Sequence, residues 1–130
     1  MTNHILITGG AGYLGSIMTQ HFLDAGFRVT VLDNLMYGQH SLFQFCSNPN
    51  FDFIYNDARN ENILKQTLGD VDVIIPLAAI VGAPACQRDP LLARSVNLDA
   101  IRLLLKLRST DQLIVYPTTN SGYGTKSGNI

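Results

Sequence analysis

Five short apolar runs, spaced by helical or turn-rich stretches, constrain this chain more than any other feature. The runs are His4–Thr8, Arg28–Asp33, Phe51–Tyr55, 71–75 and 113–116. The first is cut off by Gly9 and Gly10. Residues 13–25 follow with apolar side chains at Leu14, Ile17, Met18, Phe22 and Leu23, which are helical offsets, and Gly26 is placed to end that helix. Residues 60–68 read as a short helix closed by Gly69, and 90–108 as a long one with Pro90 in its first turn. The stretch 34–50 reads as a loop with a short helix near 41–46. Strand and helix therefore alternate, which calls for a parallel sheet. The runs are apolar on both sides, so helices must cover both faces. The fold class expected is α/β, a Rossmann-type doubly wound sheet with five strands in the order 3-2-1-4-5. A ligand crevice belongs at the carboxyl ends of the first and fourth strands.

Composition agrees with one such domain. Of 130 residues, 46% are apolar and 15% charged, so about 60 side chains are available for a core. The formal net charge of −1 argues against a nucleic-acid partner or an anionic membrane surface. The apolar, uncharged stretch between Asp72 and Arg88 has 15 residues and is broken by Pro76, Gly82 and Pro84. That is too short for a membrane span. No basic segment precedes the first apolar run, so no signal peptide is expected. Cys46 and Cys86 form no disulfide framework and fit free thiols in a reducing cytoplasm. No metal site is expected.

The turn Thr8-Gly-Gly-Ala-Gly-Tyr-Leu-Gly15 joins the first strand to the first helix. Gly9, Gly12 and Gly15 fit GxxGxxG, and Gly10, Gly12 and Gly15 fit GxGxxG. Glycine suits a tight turn whose backbone must approach a pyrophosphate, and the helix start offers unsatisfied N–H groups to its charge. A purely structural turn would use the same residues; the placement between strand and helix is what favours a ligand. A P-loop is set aside because Ser16 stands where that motif needs Lys. Asp33 ends the second strand, 18 residues beyond Gly15. A carboxylate there accepts hydrogen bonds from ribose hydroxyls and repels a 2′-phosphate, which favours NAD over NADP.

Ile5-Leu-Ile-Thr-Gly-Gly-Ala-Gly-Tyr-Leu-Gly15 and Leu32-Asp-Asn-Leu35 resemble the extended short-chain dehydrogenase/reductase family, in its branch of nucleotide-sugar epimerases, dehydratases and 4-dehydrogenases. The resemblance spans essentially the whole chain. It implies NAD as cofactor, with contacts from Gly9, Gly12, Tyr13 and Leu14 in the loop and from Asp33 and Asn34 after the second strand. Asn56-Asp-Ala58 is similar to the family's adenine contact, with Asp57 accepting from the adenine amino group and Ala58 meeting the ring. Leu77, Ala78 and Ala79 resemble the segment beside the nicotinamide ribose, although Pro76 stands where many members carry His. Asn97 resembles an Asn that braces the active-site strand.

Tyr116-Pro-Thr-Thr-Asn-Ser-Gly-Tyr-Gly124 is similar to the segment holding the catalytic hydroxyl, which falls on Thr119. In the 4,6-dehydratases that residue is followed by Asp and Glu. Asn120 and Ser121 stand here, and neither serves as a carboxyl acid or base. Oxidation at C4 of a nucleotide sugar, alone or within an epimerisation, is the reaction implied. The family's base is a Tyr with Lys four residues on. Four residues after each Tyr stand Ile17, Ser41, Arg59, Asn120 and Ser127, so the motif is absent from these 130 residues. Residues 1–130 are expected to be the NAD-binding domain, with later strands and the substrate-binding part absent, and inactive alone. The alternative is a stand-alone, non-catalytic dinucleotide-binding module or degenerate gene product. A redox-sensing regulator of this fold has no positive feature. Residues 90–108 carry more apolar side chains than one stripe needs, which leaves open a homodimer face or an inner face left bare by truncation.

Overall fold

The strands that the apolar runs predict all form, and their pairing is parallel throughout. The structure is a computed structural model that describes residues 3–119. Its strands are β1 (His4–Thr8), β2 (Arg28–Asp33), β3 (Phe51–Tyr55), β4 (Val73–Pro76) and β5 (Leu113–Ile114), in the order β3-β2-β1-β4-β5. The helices are α1 (Tyr13–Asp24), α2 (Glu61–Thr67), α3 (Ala83–Arg88), α4 (Pro90–Arg94) and α5 (Ala100–Leu107). None of the described helices is long and apolar enough to cross a membrane.

Alternation along the central strands builds two cores. Ile5 and Ile7 of β1, Val29 and Val31 of β2 and Ile75 of β4 face one side, where Leu23, Leu42, Phe45 and Phe51 pack with them. Leu6, Leu32 and Ile74 face the other, against Leu64, Leu68 and Leu104. Both faces of the sheet are thus buried, as apolar-on-both-sides strands require. β3 is the exception: it lies at an edge, and Asp52, Phe53 and Tyr55 are exposed.

Several boundaries differ from expectation for identifiable reasons. β4 starts two residues late: Val71 closes the 3-10 turn Leu68–Asp70 on the Leu68 carbonyl, and the Asp72 side chain accepts the His4 amide at 2.7 Å. The strand then extends through Pro76. Leu77 donates to the Thr8 carbonyl, so by strand alternation the Pro76 nitrogen faces the β5 side, where pairing has already ended at Ile74 and Ile114. A missing N–H costs nothing at that position. Asn60 caps α2 from outside, accepting from the Asn62 and Ile63 amides. In 34–50 only a 3-10 turn, Phe43–Phe45, forms. α3 was not anticipated. The span 90–108 is not one α-helix: a π-helical turn, Ser95–Asp99, separates α4 from α5.

Candidate functional site

A cleft of about 550 Å³ opens where β1, β2 and β4 end, within the usual size of a small-molecule site. Gly9, Gly12, Tyr13, Leu14, Asp33, Asn34, Asp57, Ala58, Leu77, Ala78, Ala79 and Asn97 all line it. Every cofactor residue that the sequence nominates thus meets in one place, although they come from five separate segments. Thr119 is exposed and lies outside this lining, while Tyr116 and Pro117 of its segment form part of the wall. Asn120, Ser121, Tyr123 and Lys126 fall outside the described residues.

The four glycines of the loop divide by what demands them. A Cβ at Gly9 would overlap the Ala78 backbone nitrogen, and its φ of +73° suits glycine alone. A Cβ at Gly10 would come within 2.7 Å of Val31, and one at Gly15 within 2.5 Å of the Gly10 Cα. These three are fixed by the protein's own packing. Gly12 is not: its φ of −70° is open to any residue, and a Cβ there would meet only the Gly9 carbonyl oxygen, at 3.4 Å. It faces the cleft at the start of α1, where no side chain caps the helix and no acidic residue occupies the first turn. A cradle of this kind fits a pyrophosphate.

Asp33 is buried, at 9% exposure, and its two oxygens are both in use. Oδ2 accepts from the Ala11 amide at 3.0 Å and Oδ1 from the Leu35 amide at 2.7 Å. The second contact holds Leu35 at φ +51°, a conformation that Leu rarely adopts. Ser41 donates to the Ala11 carbonyl at 2.7 Å, so the glycine loop is tied to 34–50 from two directions. Each carboxylate oxygen keeps a lone pair for a ribose hydroxyl.

One strand further out, after β3, Asp57 is clasped by Arg59. Arg59 Nε donates to Oδ1 at 2.8 Å, Nη2 to Oδ2 at 2.6 Å, and the Arg59 amide to Oδ1 at 2.8 Å. The guanidinium bonds hold the Asp57 carboxyl below the usual carboxylate range. The pair therefore adds stability above the ordinary Asp range, and that contribution is lost only as pH falls through the lowered value. Arg59 Nη1 also reaches Ser95 Oγ at 3.0 Å. Ser95 opens the π turn, and Asn97 within it accepts from the Ile80 amide at 2.7 Å and donates to the Ile80 carbonyl at 2.9 Å. Asn97 thus holds the segment after β4 at Ile80.

Sequence reasoning missed Arg59, Ser95 and Gln39. Gln39 lines the cleft, and its Oε1 is buried with no hydrogen-bond partner among the described residues. The signal for Arg59 was available: a base two residues after an acid, in the turn between β3 and α2.

The model of the NAD dependent epimerase/dehydratase family matches residues 5–129. UDP-glucose 4-epimerase of Lacticaseibacillus casei is 32% identical over 124 residues, covering 92% of this chain and 36% of that protein. CDP-paratose 2-epimerase of Salmonella typhi is 31% identical over 127 residues, covering 92% of this chain and 38% of that protein. Among solved structures, UDP-glucuronic acid 4-epimerase from Bacillus cereus, in complex with UDP-glucuronic acid and NAD, has a TM-score of 0.84 at 29% identity; the match covers 98% of this chain and 43% of that one. The chain thus spans well under half the length of these relatives. A family match over residues 5–129 takes in all of the sheet but its first residue and every residue that lines the cleft, and the chain belongs to the NAD dependent epimerase/dehydratase family.

Proposed function

We propose that residues 1–130 form an NAD-binding domain, the cofactor half of an enzyme acting at C4 of a nucleotide sugar. The observation that carries this is convergence: the cofactor residues nominated from the sequence line one cleft at the carboxyl edge of the sheet. Gly12 and the start of α1 would take the pyrophosphate, Asp33 the adenosine ribose, Asp57 and Ala58 the adenine, and 77–79 the nicotinamide ribose side. NAD bound there supplies a hydride acceptor for oxidation of a secondary alcohol. Thr119 would hydrogen-bond the sugar 4-oxygen from the segment after β5. A homodimer through 90–108 belongs to the same proposal; Leu91, Leu98 and Leu105 are exposed there.

Calorimetric titration tests the cofactor assignment. NAD should bind more tightly than NADP, because the Asp33 carboxylate is buried and no Arg stands among Asn34, Leu35 and Met36 to receive a phosphate. Equal or tighter NADP binding would sink the assignment. Asp33→Ala should weaken NAD by about 1–3 kcal/mol through lost charge-assisted hydrogen bonds. It should also lower the melting temperature, since the Ala11 and Leu35 amides lose their acceptor.

Binding is expected without turnover. C4 oxidation needs a base to take the hydroxyl proton, and a threonine hydroxyl is too weak a base for that; losing such a base costs about 10²–10⁴ in rate. NADH absorbance with UDP-, GDP-, CDP- and dTDP-sugars should stay flat for these 130 residues, which contain no Tyr-x-x-x-Lys. Clear turnover would overturn the expectation and turn attention to Tyr123 and Lys126.

A further inference from the structure

We infer that Arg59 makes Asp57 a one-position acceptor, so that the adenine wall of the cleft selects an amino purine over an oxo purine. This rests on the dinucleotide reading of the cleft and adds the element that sets its base preference.

A carboxylate offers about four acceptor positions, two on each oxygen. Arg59 fills three of those on Asp57. Its amide and Nε both donate to Oδ1, and its Nη2 donates to Oδ2. Oδ1 is thereby saturated, and one position remains, on Oδ2. Asp57 and Arg59 are both half-buried and both line the cleft. The remaining position suits one N–H donor.

The arrangement is also fixed in angle. A fork that grips both oxygens holds the carboxylate in its plane. Arg59 cannot swing with it, because Nη1 is tied to Ser95 on the π turn. A carboxylate held this way presents one lone pair in one direction. An exocyclic amino group satisfies it. An oxo group in the same place sets two acceptors against each other. A freely turning carboxylate would avoid that conflict by rotating to the ring N–H that an oxo purine carries.

The test compares NAD with nicotinamide hypoxanthine dinucleotide, which differs only in carrying oxygen for the adenine amino group. Titration calorimetry on the native chain should favour NAD about tenfold or more, the value of one hydrogen bond to a charged acceptor. In Arg59→Ala the ratio should shrink to about threefold or less, because the released carboxylate can serve either base. Arg59→Lys should behave like Arg59→Ala, since an ammonium keeps the charge and loses the fork. Ser95→Ala leaves the Asp57 clasp in place and should fall between native and Arg59→Ala, which guards against a variant that fails to fold. If all variants weaken both dinucleotides by one common factor, Arg59 is only a structural tie and the inference is wrong. If the native chain binds both ligands equally, the inference is wrong while the NAD reading stands. If the native chain binds neither, the NAD reading itself is overturned and the inference with it.

Discussion

Gly12→Val is expected to weaken NAD binding by a factor of about one hundred or more while leaving the fold in place. The backbone at Gly12 is extended, with φ −70° and ψ 177°, so a side chain adds no strain. Its Cβ would meet only the Gly9 carbonyl oxygen, at 3.4 Å. The branched atoms of valine would instead occupy the cleft, where the pyrophosphate is proposed to lie against the start of α1. Circular dichroism melting should shift little, and cofactor titration should show the loss. Retained affinity in a well-folded variant would mean that the loop is a turn and nothing more.

Three residues earlier the same kind of change should have the opposite consequence. Gly9→Ala is expected to destabilise the fold by about 3 kcal/mol or more. The φ of +73° penalises any L side chain, and the new methyl group would overlap the backbone of Leu77 and Ala78 rather than a movable side chain. The β1 loop and the segment after β4 would have to separate. Urea unfolding measures it, and an unchanged midpoint would show that this contact is looser than it looks. The two variants together separate what the loop does for the protein from what it does for a ligand.

Much of this was legible because it is written in local chemistry. The alternation of Ile5, Leu6 and Ile7 names both faces of β1, and Gly26 at φ +84° ends α1 where the sequence placed the stop. Asp33 was legible as a site residue because its position at the end of β2 follows from the strand itself. Other features depend on distant partners. Nothing near Asp72 announces that its side chain will accept the amide of His4. α3 was hidden by Gly82 and Pro84, which read as loop residues yet serve as an N-cap and a first-turn proline. The π turn was hidden because one extra residue per turn barely changes an apolar pattern as dense as 90–108. Arg59 and Ser95 come together from segments 36 residues apart, and only the folded chain reveals that pair.

The Asn97 clamp on Ile80 has a consequence for hydrogen exchange. Ile80 belongs to no helix or strand, so its amide would ordinarily trade its proton with solvent early. Here that amide and its carbonyl are both held by one side chain from the π turn. Its exchange is therefore governed by how often Asn97 lets go, not by how often the sheet opens. A slow amide at Ile80 would then serve as a clock for the cleft wall, separate from global unfolding.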